Sequence, residues 1–248
     1  MLTPLSEKVQ SIILGSLLGD GSLTISDKYR NARFSFRHSH IQKEYFQWKA
    51  NELKEITADR SQWVQGTDEK PDGWGTVKFR FQSAALPSLT ELHRLTHKGI
   101  SGPKARVRRS WLNKLTPLSL AIWWLDDGSL VSDSRQGVLC TDSFSLFEVE
   151  ILQKYLQTVW NIQTKIGSVG KTEHYRLWIR STEELKKFLS IIIPHIFIED
   201  MLYKILLVYK DPMLQQRWIS EVVKFGNFSE VVVLEQLQKK KSKMKNFR

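Results

Sequence analysis

Apolar residues at the N-terminal end of the chain recur three to four positions apart, as on one face of a helix. These positions are Val9, Ile12, Ile13 and Leu17. Ser6 and Glu7 precede them as helix-start signals, and Gly21 is a stop signal. The pattern therefore predicts a helix that ends at Asp20.

Polar and apolar residues then alternate from Arg33 to Arg37, as in a half-buried strand. Residues 22–39 are predicted to form a hairpin, and residues 41–56 a helix. A second hairpin is expected over residues 61–83, with its turn at the Lys-Pro-Asp-Gly sequence of residues 70–73. Residues 86–95 complete the set as a helix.

The same order of elements recurs in the second half of the chain. Helices are predicted over residues 115–127, 146–160 and 182–193, with hairpins over residues 129–143 and 163–181. The chain is therefore an α+β protein with two tandem αββαββα pseudo-repeats, each with one antiparallel sheet covered by helices on one face. The predicted organisation is a first repeat (1–97), a basic linker (98–114), a second repeat (115–210) and a C-terminal extension with a basic tail (211–248).

The first helix of each repeat ends in the same Asp-Gly-Ser-Leu sequence, at residues 20–23 and 127–130. A carboxylate there faces the partial negative charge of the terminal helix carbonyls. If the two helices pack together, Asp20 and Asp127 converge and repel each other, and a divalent cation relieves the repulsion. Oxygen ligands favour Mg²⁺. The predicted ligands are Asp20 and Asp127, with Gly19 and Asp126 beside them, and the predicted chemistry is phosphodiester hydrolysis.

Small residues in the first helix predict a close helix contact. Gly15 and Gly19 are four residues apart, whereas the corresponding residues of the second helix are Ile122 and Asp126. We therefore expect an asymmetric seam, with the small residues on one side only.

The charge of the chain indicates a polyanionic partner. The formal net charge is +11, and two segments without any acidic residue, 98–114 and 239–248, hold twelve of the 37 basic residues. The tail by itself would serve equally well as a solubilising extension. No apolar run reaches the roughly 18 residues that a membrane span requires, so no membrane partner is expected.

With these features together, the chain resembles the single-chain, two-motif LAGLIDADG homing endonucleases, in the branch of the yeast mitochondrial omega-intron enzyme. The motif positions correspond to "ILGSLLGDG" (13–21) and "LAIWWLDDG" (120–128), and the similarity continues through "PHIFIEDMLYKI" (194–205). The resemblance implies that Asp20 and Asp127 are the essential acids. It further implies catalytic lysines at Lys104 and Lys204.

The resemblance also implies a monomer with internal pseudo-two-fold symmetry, whose two sheets form a saddle on double-stranded DNA. Mg²⁺ would be the cofactor, with Mn²⁺ able to replace it and Ca²⁺ bound without cleavage. An organelle is the expected location. The expected DNA contacts are basic or polar residues of the strands, the hairpin turns and the linker: Arg30, Arg33, Ser35, Arg37, Lys78, Arg80, Gln82, Arg106, Arg108, Arg109, Arg135, Lys165, Lys171, Arg176 and Arg180.

Several alternatives stay open at this point. Lys104 could be a simple phosphate contact in its basic loop. The same scaffold could act as an RNA maturase that binds intron RNA, or as an inert DNA-binding regulator. The spacing of His38 and His40 is typical of metal ligands, but no cysteine or further histidine is nearby in sequence, which argues against zinc. Cys140 is expected to be an inert core thiol.

Overall fold

The structure is a computed structural model that describes residues 4–26, 30–66, 77–97, 105–131, 134–170 and 174–244. The chain divides into two compact units, Met1–Ile122 and Trp123–Arg248. The division falls within a helix that begins at Pro117, so the first turns of that helix belong to the first unit. Among the described residues, no helix is both long enough and apolar enough to cross a bilayer.

The first unit has the predicted αββαββα order. Its elements are α1 (Glu7–Ser16), β1 (Ser22–Thr24), β2 (Arg33–Ser39), α2 (Lys43–Glu52), β3 (Gln62–Gln65), β4 (Lys78–Gln82) and α3 (Pro87–Thr96), followed by the short α4 (Arg109–Leu112). The four strands form one antiparallel sheet in the order β1-β2-β4-β3. The predicted turn at residues 70–73 lies outside the described residues.

The second repeat has the same order and the same sheet. Its elements are α5 (Pro117–Asp127), β5 (Gly128–Val131), β6 (Gln136–Cys140), α6 (Leu146–Trp160), β7 (Lys165–Ser168), β8 (Tyr175–Ile179) and α7 (Thr182–Ile192). The strand order β5-β6-β8-β7 is equivalent to that of the first sheet, and all pairings are antiparallel. The predicted fold class is confirmed.

The two motif helices end differently, in contrast to the prediction. Helix α1 ends at Ser16. The chain then turns through a short-range hydrogen bond from Leu18 N–H to the Gly15 carbonyl (3.1 Å) and a wider one from Gly21 N–H to the Ser16 carbonyl (2.7 Å). These bonds satisfy carbonyls that the helix end leaves open. Asp20 therefore lies in a turn, whereas Asp127 is the last residue of α5.

Helix α1 packs closely on the first turns of α5 within the first unit. A Cβ atom at Gly15 would overlap the backbone of Ser119, with only 2.9 Å to its Cα. The Thr116 hydroxyl also donates to the Ser11 hydroxyl over 2.9 Å. The seam therefore has small residues on both helices, and the expectation of small residues on one side only is wrong. Ser119 lies one helix turn before Ile122, the residue that corresponds to Gly15 in the second motif.

The C-terminal extension is helical, which the sequence analysis did not predict. Helix α8 (Pro212–Phe225) is capped by Asp211, whose side chain accepts hydrogen bonds from two amides of the first turn. Helix α9 (Glu230–Lys243) follows after a short connection. Trp218 and Leu237 are buried in this pair, so the extension belongs to the packed core of the second unit.

Candidate metal centre and nucleic-acid interface

The carboxylate of Asp20 lies at the edge of the first sheet, beside a histidine. Its side chain is 41% exposed, and one carboxylate oxygen is 3.5 Å from Nδ1 of His38. His38 is buried on the inner face of β2, where its ring contacts that of Tyr45. This proximity does not follow from the spacing of His38 and His40 along the chain, on which the expectation against zinc was based. The alternation of side chains along β2 does predict that His38 is buried, because it places His38 on the same face as Phe34 and Phe36.

Lys49 is a second residue that the sequence analysis missed. Its side chain is fully buried on α2, and its ammonium group lies 4.7 Å from the ring centre of Phe36 and 5.4 Å from that of Tyr45. Lys49 is four residues after Tyr45, which places both on the buried stripe of the helix. The helical periodicity of residues 43–52 therefore predicts that this lysine is buried.

The outer face of the first sheet is polar and positively charged. The strand register places Ser35 opposite Gln82 and Arg37 opposite Arg80. With Arg33 and Lys78, these six predicted residues lie on one face of the sheet. Arg33 and Gln82 bind each other, since Nη1 of Arg33 donates to Oε1 of Gln82 over 3.1 Å.

A pocket of about 310 Å³ on this face joins the basic strands to the first acid. Its lining includes Asp20, Arg37, Arg80 and Trp63. Trp63, which the sequence analysis did not select, is 40% exposed and lies directly across the strand pair from Arg80. Its indole therefore offers an apolar surface between charged groups.

In the second unit, Lys204 is placed at the end of α5. It is 7% exposed, and its Nζ donates to the carbonyls of Leu125 (2.6 Å) and Asp126 (3.3 Å). Nε1 of Trp124 donates in return to the Lys204 carbonyl over 2.9 Å. The ammonium group thus compensates the negative end of α5. The chain therefore supplies a cation of its own at this helix end, in addition to the divalent cation that the sequence predicts there.

Asp126 and Asp127 differ in their surroundings. Asp126 is buried and Asp127 is half-buried, and β5 begins at once with Gly128. A Cβ atom at Gly128 would overlap the ring of Trp124, so the close turn from helix to strand requires glycine. Cys140 is half-buried rather than a core residue, and burial together with the charge of Asp127 raises the pKa of its thiol against the opposing effect of Arg176.

The outer face of the second sheet is less available for binding than predicted. Arg176 forms a bidentate pair with Asp142, with Nε–Oδ1 and Nη2–Oδ2 distances of 2.9 and 2.6 Å. Trp178 lies over Gly167, and the guanidinium group of Arg180 lies 5.4 Å from its ring centre. Trp178 therefore continues the exposed face between Arg176 and Arg180.

The remaining predicted contacts are dispersed. Lys165 is exposed on β7, Arg30 precedes β2, Arg135 lies in the turn before β6, and Arg106, Arg108 and Arg109 lie at or just before α4. Lys104 and Lys171 lie outside the described residues.

A family profile and several known proteins match most of this chain. The profile of the LAGLIDADG DNA endonuclease family matches residues 10–188. Protein RecA of Mycolicibacterium chitae is 30% identical over 217 residues, which cover 82% of this chain and 47% of that protein. DNA endonuclease I-ChuI of Chlamydomonas applanata is 28% identical over 173 residues, covering 65% of this chain and 77% of that protein.

The solved structures include the homing endonuclease I-WcaI bound to its DNA recognition sequence. It superposes with a TM-score of 0.71 at 22% identity, and the match covers 84% of this chain and 89% of that one. This similarity supports the fold. The chain spans about half the length of the RecA proteins that it matches.

Proposed function

Because the chain belongs to the LAGLIDADG DNA endonuclease family, we propose that it is a site-specific endonuclease that hydrolyses both strands of a long, asymmetric double-stranded DNA site. One observation carries the proposal: the exposed carboxylate of Asp20 borders a pocket lined by Arg37 and Arg80 on an open strand face. An acid beside arginines on an exposed sheet suits a phosphodiester backbone that is bound and then cut.

The strand faces supply the binding groups. Arg37, Arg80 and Lys78 would hold phosphates or guanine edges, and Ser35 would read a base edge. Trp63 adds an apolar contact of the kind that a thymine methyl group accepts. The two sheets of this chain would bind two DNA half-sites of different sequence, because the side chains on the two sheet faces differ.

Each motif by itself offers donors that fit a hard divalent cation. The first offers the Asp20 carboxylate and the Gly19 carbonyl, the second offers the carboxylates of Asp126 and Asp127, and no cysteine lies among these motif residues. Mg²⁺ is the proposed cofactor, with Mn²⁺ able to replace it. When bound, the cation would supply Lewis-acid stabilisation of the charge on a phosphate and would lower the pKa of water.

Lys204 has two proposed tasks. It holds the end of α5, which carries Asp127, by donating to the carbonyls of Leu125 and Asp126. Its positive charge also favours the negative charge that develops on a phosphate as the bond breaks. Lys104 is proposed as the catalytic lysine of the first repeat, as the family resemblance implies.

Replacement of Lys204 with methionine removes the charge and keeps most of the side-chain volume. Methionine has a similar length and no charge, so it fills the space without an ammonium group. We expect cleavage to fall by about 100-fold or more, as for the loss of one transition-state donor. The melting temperature should fall by several degrees, because the buried carbonyls of Leu125 and Asp126 lose their donor at a cost of about 1–3 kcal/mol, and the variant should still be folded at the assay temperature. The exposed Lys154→Met variant on α6 is the matched control. Equal cleavage by both variants would remove Lys204 from the chemistry.

The metal requirement can be tested during the search for the DNA site. The protein is incubated with a randomised double-stranded DNA library, and cut molecules are sequenced after reaction with Mg²⁺, Mn²⁺ or Ca²⁺. We expect cutting at one family of sites with Mg²⁺ or Mn²⁺, and retention without cutting with Ca²⁺. Unchanged cutting in the presence of a chelator would contradict the metal-dependent mechanism.

The same DNA library, with structured intron RNA as a competitor, tests the two alternative functions. Tight retention of DNA with no cutting under any of the three cations would favour the inert regulator. A higher affinity for structured intron RNA than for every DNA in the library would favour the maturase. For DNA, we expect affinity to fall steeply with salt, because several lysines and arginines would displace counterions from phosphates.

A further inference from the structure

The segment that follows Lys204 makes few hydrogen bonds within the backbone. The short 3-10 helix Glu199–Lys204 ends there, and no described strand pairs with residues 205–209. Such a segment must find other partners for its buried carbonyl groups, or each of them costs free energy. The identity of these partners therefore decides how Lys204 is held.

Side chains donate hydrogen bonds to the five consecutive carbonyls of residues 203–207. The Lys204 carbonyl binds Nε1 of Trp124 from the motif helix, as described above. The other four bonds come from three side chains of the C-terminal extension. Nζ of Lys240 donates to the carbonyls of Tyr203 (2.7 Å) and Leu206 (2.8 Å). Nε1 of Trp218 donates to the Ile205 carbonyl (3.0 Å), and Nε2 of Gln215 donates to the Leu207 carbonyl (3.1 Å).

We propose that helices α8 and α9 brace the lysine-bearing segment 203–209 against the end of the motif helix, with Lys240 and Trp218 as positioning residues for Lys204. The inference deepens the proposed function and rests on it where it concerns cleavage. The extension thereby gains a task within the reaction, in addition to covering the core.

The surroundings of Lys240 support a specific role. Burial lowers the pKa of this amine to about 7, so its position carries an electrostatic cost that a solvent-facing lysine of the basic tail would not have. An ammonium group has three N–H donors and a neutral amine has two. Both forms can therefore serve the carbonyls of Tyr203 and Leu206.

The position of Lys204 depends on both sides of this arrangement. Its Nζ reaches the Leu125 carbonyl only while its own backbone stays next to Trp124. Loss of the Lys240 bonds would free the carbonyls on either side of Lys204, and water would compete for them. A displacement of the ammonium group by even about 1 Å is enough to slow a positioned reaction substantially.

The test compares Lys240→Met and Trp218→Phe with Lys224→Met, an exposed lysine of α8 that serves as the matched control. Single-turnover cleavage is measured at saturating protein, and DNA affinity is measured separately with Ca²⁺. We expect the first two variants to cut about ten- to 100-fold more slowly, with affinities within about twofold of the unchanged protein. The control should retain the full cleavage rate.

A double-mutant cycle distinguishes positioning from general destabilisation. If Lys240 acts through Lys204, then Lys240→Met has no further effect on the rate when Lys204 is already methionine. A general loss of stability would slow the double variant further. Additive losses in the cycle would therefore overturn the positioning role.

Hydrogen exchange provides a readout that does not depend on cleavage. The amides of Ile205 and Leu206 both donate to the Leu202 carbonyl, so the peptide 199–209 reports on the braced segment. Faster exchange of this peptide in Lys240→Met than in Lys224→Met supports the brace, and equal exchange overturns it. If the unchanged protein cuts no DNA, the proposed endonuclease function fails, and the exchange result alone decides the brace.

Discussion

Replacement of Asp20 or Asp127 with asparagine is expected to reduce DNA cleavage by more than about 100-fold, since even outer partners of a metal site are worth 10- to 100-fold. Asparagine keeps the shape of the side chain and removes the negative charge that a divalent cation requires. DNA affinity measured with Ca²⁺ should change far less, because the arginines of the strand faces remain in place.

A plasmid that carries the selected site gives the clearest readout of this experiment. Nicked and linear products separate on a gel, so the assay shows whether each acid serves one strand or both. Asp59→Asn, an exposed acid of the first unit, is the control and should cut normally. Normal linear product from the double variant Asp20→Asn with Asp127→Asn would remove both carboxylates from the mechanism.

The second large effect concerns the seam between α1 and the first turns of α5. Alanine at Gly15 would place a methyl group against the Ser119 backbone, which has no side-chain freedom to move away. Overpacking of this kind typically costs about 1–3 kcal/mol. In an unconstrained helix the same change would be favourable by about 1 kcal/mol. Because the overlapping atoms are all backbone, the upper end of the overpacking range applies, about 3 kcal/mol, and the helix preference offsets about 1 kcal/mol of it. We therefore expect Gly15→Ala to lower the free energy of unfolding by about 2 kcal/mol, and Gly15→Val to lower it further.

Urea unfolding of these variants measures the effect, with Glu7→Ala on the exposed side of α1 as the control. The control should stay within about 0.5 kcal/mol of the unchanged protein. An increase in stability for Gly15→Ala would mean that α1 and α5 separate without cost, and it would contradict the close seam. The comparison therefore tests the packing on which the placement of the first motif acid depends.

The negative end of α5 has a positively charged partner within the chain. The sequence predicts that a carboxylate at such a helix end attracts a bound divalent cation. In the second unit, Nζ of Lys204 also donates to the terminal carbonyls of this helix. The metal proposal therefore rests on the oxygen donors of the motif residues and on family membership.

The order of elements, the antiparallel sheets and the shared face of Arg37 and Arg80 could all be derived from the sequence by itself. These features follow from local periodicity, because the side-chain direction repeats every two residues in a strand and every 3.6 in a helix. The end of α1 was placed four residues too late. Its apolar pattern continues through Leu17 and Leu18, while the tightening to shorter-range hydrogen bonds leaves no mark in that pattern.

Only the tertiary structure decided which distant groups meet. Lys204 binds a carbonyl 79 positions earlier in the chain, and Lys240 binds carbonyls 34 and 37 positions earlier. Each of these bonds depends on how several elements pack, so no local pattern could reveal it. The sequence by itself thus determined the repeats and their paired acids, and packing determined the neighbours of those acids and the task of the C-terminal helices.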